Sequence, residues 1–66
     1  MKEPLNKPVV NLVGEDGNAF AIMGRVKKAL RHAGADTEYI DRYLNEATSG
    51  DYNHLLTVSM EYVEVE

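Results

Sequence analysis

The stretch that decides the fold is residues 19–33, which read AFAIMGRVKKALRHA. Apolar side chains recur there every three or four positions, the period of one face of an α-helix. That face consists of Ile22, Val26, Ala29, Leu30 and Ala33, and Phe20 and Met23 widen it. We therefore predict an amphipathic helix over this stretch.

Turn-forming residues mark both ends of this helix. Residues 14–18 (GEDGN) have turn chemistry, and Asn18 can cap the first turn of the helix. Gly34 predicts the C-terminal stop. Gly24 inside the helix costs about 1 kcal/mol relative to alanine, so we expect it to make a close contact with a neighbouring backbone.

A second helix is predicted soon after Gly34. Asp36 or Thr37 caps its start, and it ends near Thr48. Its apolar positions again fall on one face: Ile40, Tyr43, Leu44 and Ala47.

The last part of the chain fits two periods. Asp51 can cap a third helix over residues 51–61, but residues 56–62 also alternate like a half-buried strand. The cap favours the helix. Short β-branched runs at 9–13 and 63–65 predict two strands, which should pair because a lone strand leaves its backbone unsatisfied. The predicted fold is α+β, with two or three helices packed on a two-stranded ribbon formed by the chain ends.

Size and composition limit the class of protein. The 66 residues form one domain at most, which we assign to 9–66 after a proline-containing flexible leader at 1–8. There is no cysteine, so disulfides and thiolate metal sites are excluded. The small core favours oligomerisation as a source of stability. No apolar run suits a membrane span or a secretory signal, so we expect a cytoplasmic protein with no membrane partner.

The net charge of −4 is unevenly spread. Four bases lie within seven residues, and the rest of the chain carries all the acids. Arg25, Lys28 and Arg31 are nucleic-acid candidates, since such a face can contact phosphates. We favour the simpler interpretation, a face that is solvated or that meets acids of the second helix or of a partner chain.

The turn before the first helix resembles a phosphate cradle, because a helix N-terminus presents free N–H groups. Gly17 and Asn18 are therefore candidates for binding a ligand or anion. The spacing matches neither the dinucleotide fingerprint nor the P-loop, and Glu15 and Asp16 would repel a phosphate. A structural turn is the favoured interpretation.

Asp51 and His54 complete that candidate set. They lie one helical turn apart, so the carboxylate could orient the imidazole, or both could join Glu46 around a divalent ion. A small-molecule or metal site with Glu15 and Asp16 requires the two loops to meet. The simpler interpretation is that Asp51 caps the helix and His54 lies on the surface. We assign no catalytic residue, metal ligand or cofactor.

Tyrosine is frequent for so short a chain. Tyr39, Tyr43 and Tyr62 are interface candidates, because tyrosine combines an apolar ring with a polar tip. The same property suits the border of a small core, and the sequence leaves both alternatives open.

Two stretches carry a family resemblance: NLVGEDGNAF at 11–20 and EATSGDYNHLL at 46–56. The chain resembles a family of very short bacterial and phage-associated proteins to which no activity is assigned. The resemblance implies only that the loops at 14–18 and 49–54 are where function lies.

No pattern in the sequence specifies a substrate or a biological process. The function that we predict is a small, non-enzymatic interaction module that forms a homo-oligomer or binds a protein partner. The alternatives are a nucleic-acid accessory protein, with weak binding, and a small-molecule or metal site at the two loops.

Overall fold

Three helices pack on a two-stranded sheet in the computed structural model, which describes residues 1–11 and 19–66. The elements in chain order are β1 (Val9–Val10), α1 (Ala19–His32), α2 (Thr37–Ala47), α3 (Tyr52–Tyr62) and β2 (Glu64–Val65). The strands lie near the two chain ends, so the predicted α+β fold is confirmed. The loop at 14–18 and the end of the predicted strand 9–13 lie outside the described residues.

The two strands run parallel, with Val9 opposite Glu64 and Val10 opposite Val65. The backbone N–H of Glu64 donates to the carbonyl of Pro8, and the N–H of Glu66 donates to the carbonyl of Val10, both at 2.9 Å. A parallel pair needs a long crossover between its strands. The three helices lie within that crossover.

The helix ends follow the local sequence signals. Gly34 adopts a φ of 101°, and the N–H of Ala35 donates to the carbonyl of Leu30 at 3.0 Å. Such a left-handed glycine with a bond spanning six residues ends a helix in a Schellman motif. Asp36 and Asp51 cap α2 and α3, and each side chain accepts the backbone N–H three residues later. Residues 56–62 therefore belong to a helix, and the strand alternative for them is wrong.

The core lies between the three helices and the sheet. Its buried members come from β1, from the three helices and from positions next to helix ends: Val10, Ile22, Val26, Leu30, Ala35, Ile40, Tyr43, Ala47, Leu55, Val58, Tyr62 and Val63. The prediction that Phe20 widens the apolar face of α1 is wrong, because its side chain is 81% exposed. Phe20 precedes Ile22 by two residues, which places it about 200° away around the helix.

Gly24 is exposed, and a Cβ there would meet no described atom within 4 Å. The close backbone contact predicted for it is therefore not found in the described part of the chain.

The N-terminal segment 1–8 contacts α2 and α3. The N–H of Lys2 donates to Asp36 Oδ2 at 2.7 Å, and the N–H of Asp36 donates to the carbonyl of Lys2 at 3.1 Å. Lys7 Nζ donates to the carbonyl of Met60 at 3.3 Å. The predicted flexibility of this leader concerns motion and stays a prediction. No helix in the described ranges has the length and apolar character to cross a membrane.

Candidate interaction groove

A groove of about 580 Å³ lies between α1 and β1. We call it the α1–β1 groove; it is lined by Val9, Val10 and Asn11 from the strand side and by Arg25, Lys28, Ala29 and His32 from the helix. The helical residues follow the spacing i, i+3, i+4, i+7, which places them on one face of α1. That face is adjacent to the apolar stripe that packs into the core.

The described lining of the groove is basic. Arg25, Lys28 and His32 are all exposed, and none of the described residues that line the groove is acidic. The guanidinium Nη1 of Arg25 donates to the carbonyl of Asn11 at 3.2 Å, which links α1 to the end of β1. On a chain of net charge −4, this is a surface suited to an anionic group.

The structure divides the three basic residues that the sequence grouped together. Arg25 and Lys28 line the α1–β1 groove, whereas Arg31 is exposed but does not line it. No ion pair found among the described residues joins Lys28 or Arg31 to an acid of α2. His32 was missed by the sequence interpretation, although its position seven residues after Arg25 was the available signal.

A second, more apolar pocket of about 260 Å³ contains one of the ligand candidates. Asp51 lines it together with Ala19, Gly50 and Tyr52, so the start of α1 and the turn between α2 and α3 are neighbours. Gly17 and Asn18, as well as Glu15 and Asp16, lie outside the described residues. His54 does not line this pocket.

Asp51 and His54 form a helix cap. Asp51 Oδ1 accepts the backbone N–H of His54 at 2.9 Å, while the imidazole Nε2 lies 2.9 Å from the carbonyl oxygen of Glu46. The favoured capping role of Asp51 is confirmed, and the carboxylate does not orient the ring. Across the described ranges, no group of three His, Asp or Glu residues could hold a metal ion.

The hydroxyl of Ser49 lies 3.1 Å from His54 Nε2, a distance typical of a nucleophile and its base. However, Nε2 also contacts the Glu46 carbonyl, which can only accept, so Nε2 carries the proton. Ser49 donates its own hydroxyl proton to the same carbonyl at 2.7 Å. In this arrangement His54 cannot act as a base toward Ser49, and the pair closes the end of α2.

Two of the three tyrosine candidates are buried in the core of the chain, and the third is half-buried. Tyr43 is fully buried, and its hydroxyl lies 2.7 Å from Ser59 Oγ. Tyr62 is only 7% exposed and donates to Glu46 Oε1 at 3.0 Å. Its ring packs edge-on against Tyr39 and Tyr43, with centroids 5.3 and 5.2 Å apart. Of the two alternatives for these tyrosines, Tyr43 and Tyr62 belong to the core. A partner interface at half-buried Tyr39 stays a prediction.

Burial shifts the titration of these phenols. It raises the pKa of Tyr43, against a smaller lowering by the Ser59 hydrogen bond. Burial, the hydrogen bond to Glu46 and the charge of Glu46 raise the pKa of Tyr62 to about 12. Both hydroxyls therefore stay protonated near neutral pH, as expected for structural groups.

No family model, curated protein or solved structure matches this chain. The resemblance to short bacterial and phage-associated proteins accordingly stays a prediction.

Proposed function

We propose that this protein is a small, non-enzymatic interaction module that binds an acidic segment of a partner protein in the α1–β1 groove. The observation that carries the proposal is the lining of that groove. It combines basic side chains, Arg25, Lys28 and His32, with apolar ones, Val9 and Ala29, and its described residues include no acid.

A protein segment fits this lining better than a nucleic acid does. No Phe, Tyr or Trp is among the described lining, so the groove lacks the large aromatic platforms on which bases of a single strand usually stack. Apolar side chains next to cations suit a peptide that alternates acidic with uncharged residues.

The non-enzymatic part of the proposal is supported by the pair among the described residues that resembles a reactive site, Ser49 and His54. His54 Nε2 and the Ser49 hydroxyl both direct their protons to the Glu46 carbonyl. They therefore stabilise the turn between α2 and α3, and Nε2 is not available as a base toward the Ser49 hydroxyl.

The proposal is tested with an acetylated and amidated octapeptide of alternating threonine and glutamate. Binding to the full chain is followed by NMR at low and at physiological ionic strength. We expect binding that weakens with salt, because exposed charges are screened. An octapeptide of alternating threonine and lysine serves as the ligand control, and a 12-base-pair DNA duplex tests the nucleic-acid alternative.

Two adjacent lysines offer a matched pair of variants. Lys28→Glu reverses a charge in the groove, whereas Lys27→Glu makes the same change on an exposed part of α1 that does not line it. We expect Lys28→Glu to weaken binding of the acidic peptide about tenfold and Lys27→Glu to have a much smaller effect, since exposed ion pairs act locally. Equal losses, no binding of the acidic peptide, or tighter binding of the duplex would each refute the proposal.

A further inference from the structure

We infer that the acidic segment enters the α1–β1 groove as an added β-strand, hydrogen-bonded to the backbone of Val9 at the open edge of β1. This inference rests on the proposed function and specifies its binding mode. Strand addition uses main-chain hydrogen bonds for affinity and alternate side chains for specificity.

The hydrogen bonds of the sheet show which backbone groups are available. The carbonyls of Pro8 and Val10 accept from β2. Successive residues of a strand direct their N–H and C=O groups to opposite edges, so those of Val9 point away from β2. In the described part of the chain, β2 is the one strand that pairs with β1. An unpaired edge of this kind is a template for another strand.

The spacing of the basic side chains on α1 matches that of a strand. Lys28 and His32 are four residues apart on α1, a rise of about 6 Å. Side chains on one face of a strand repeat every two residues, or about 6.6 Å. Where the added segment runs along the helix, consecutive glutamates on its helix-facing side therefore reach Lys28 and His32 in turn.

Charge complementarity selects the occupant. The helix side of the groove carries the positive charges of Arg25 and Lys28, and Val9 on the strand side is 57% exposed. An extended segment with an acid at every second position places carboxylates toward α1 and uncharged side chains toward the other face. We commit to such a segment of a different protein; a second copy of this chain is an outcome of the test.

Backbone-modified peptides test the inference directly. In one version of the threonine–glutamate octapeptide the threonine amides are N-methylated, and in the other the glutamate amides are. Because amide groups of a strand alternate between its edges, only one version should lose binding, by about tenfold or more. Hydrogen exchange of the Val9 amide should also slow when the unmodified peptide binds.

The outcomes separate the two proposals. If both methylated peptides bind like the unmodified one while Lys28→Glu still weakens binding, strand addition is overturned and the proposed function stands. If the unmodified peptide does not bind, the proposed function itself fails. If the Val9 amide is already protected in the free chain in a concentration-dependent way, the edge pairs with a second copy, and the inference about a different partner is wrong.

Discussion

Gly50 has a steric role that depends on the His54 ring. A Cβ at Gly50 would lie 2.7 Å from His54 Cγ and 2.9 Å from His54 Cδ2, both shorter than the 3.0 Å below which Cβ atoms essentially never approach another heavy atom. The ring must then move away from the Glu46 carbonyl. We predict that Gly50→Ala lowers the free energy of unfolding by about 1–2 kcal/mol, measured by urea denaturation.

Gly24→Ala is the matched control for that substitution. Gly24 lies within α1 and is exposed, and a Cβ added there would have no described atom within 4 Å. We expect alanine there to raise the free energy of unfolding by up to about 1 kcal/mol, because it is the better helix former. A Gly50→Ala variant as stable as the parent chain would show that the His54 ring does not need this space.

Tyr62 makes the stability depend on alkaline pH. Its pKa is raised from 10.0 to about 12 in the folded chain, first by burial and then by Glu46. The folded state thus holds a proton that the unfolded state releases near pH 10. Stability should be intact below pH 10 and fall between pH 10 and about 12.

The check is urea denaturation at a series of pH values from 9 upward, on the parent chain and on Tyr62→Phe. We expect the variant to lose less stability per pH unit over that range, while Tyr39 and Tyr43, whose pKa values are also raised, keep a residual slope. Identical slopes would contradict the assignment to Tyr62.

Residue-level prediction from sequence succeeded where the cause is local. Asp36 and Asp51 cap helices because short side chains reach the N–H three residues on, and this is readable from the sequence. The position of the His54 ring was not readable, since it depends on how the turn at Gly50 brings α3 back to the end of α2. Membership of His32 in the groove depends likewise on where β1 packs against α1.

At the scale of elements, a buried hydrogen bond joins α2 to α3. Tyr43 and Ser59 are both fully buried, and their hydroxyls lie 2.7 Å apart. Ser59 Oγ also donates to the carbonyl of Leu55 at 2.8 Å, so Tyr43 donates to Ser59. Removing the Ser59 hydroxyl leaves the buried Tyr43 donor without this partner, whereas removing the Tyr43 hydroxyl leaves the Ser59 donor paired with Leu55.

We predict that Ser59→Ala costs about 1–3 kcal/mol of unfolding free energy, since it leaves the Tyr43 hydroxyl buried without this partner. Tyr43→Phe should cost about 1 kcal/mol, because Ser59 keeps its bond to Leu55. The double variant should lose less than the two single losses combined. Strictly additive losses in chemical denaturation would contradict the coupling.

The helices were predictable to within a few residues, because the three apolar periods agree with the described caps at Asp36 and Asp51. Over residues 56–62 the apolar pattern fits both a helix and a strand. The Asp51 cap favoured the helix, which is the structure observed. The parallel direction of the strands and the pairing of Tyr43 with Ser59 were not predicted, since both depend on how the helices cross.

At the scale of the whole molecule, the basic face of α1 and the open edge of the sheet lie next to each other. The cationic face of α1 lies beside β1, whose second edge has no strand partner among the described residues. The chain-wide acidity was evident from the sequence, but this juxtaposition required the fold. Oligomerisation, which the small core suggested, remains a prediction that light scattering across a concentration series would test.

The most direct test of the groove as the binding surface is an amide chemical-shift map of the full chain during titration with the threonine–glutamate octapeptide at low salt. We predict that the largest shifts fall on Val9, Asn11, Lys28 and His32, and that Lys28→Glu reduces them. Shifts centred instead on Gly50 and the pocket beside it, or no saturable shifts at all, would contradict the proposed site.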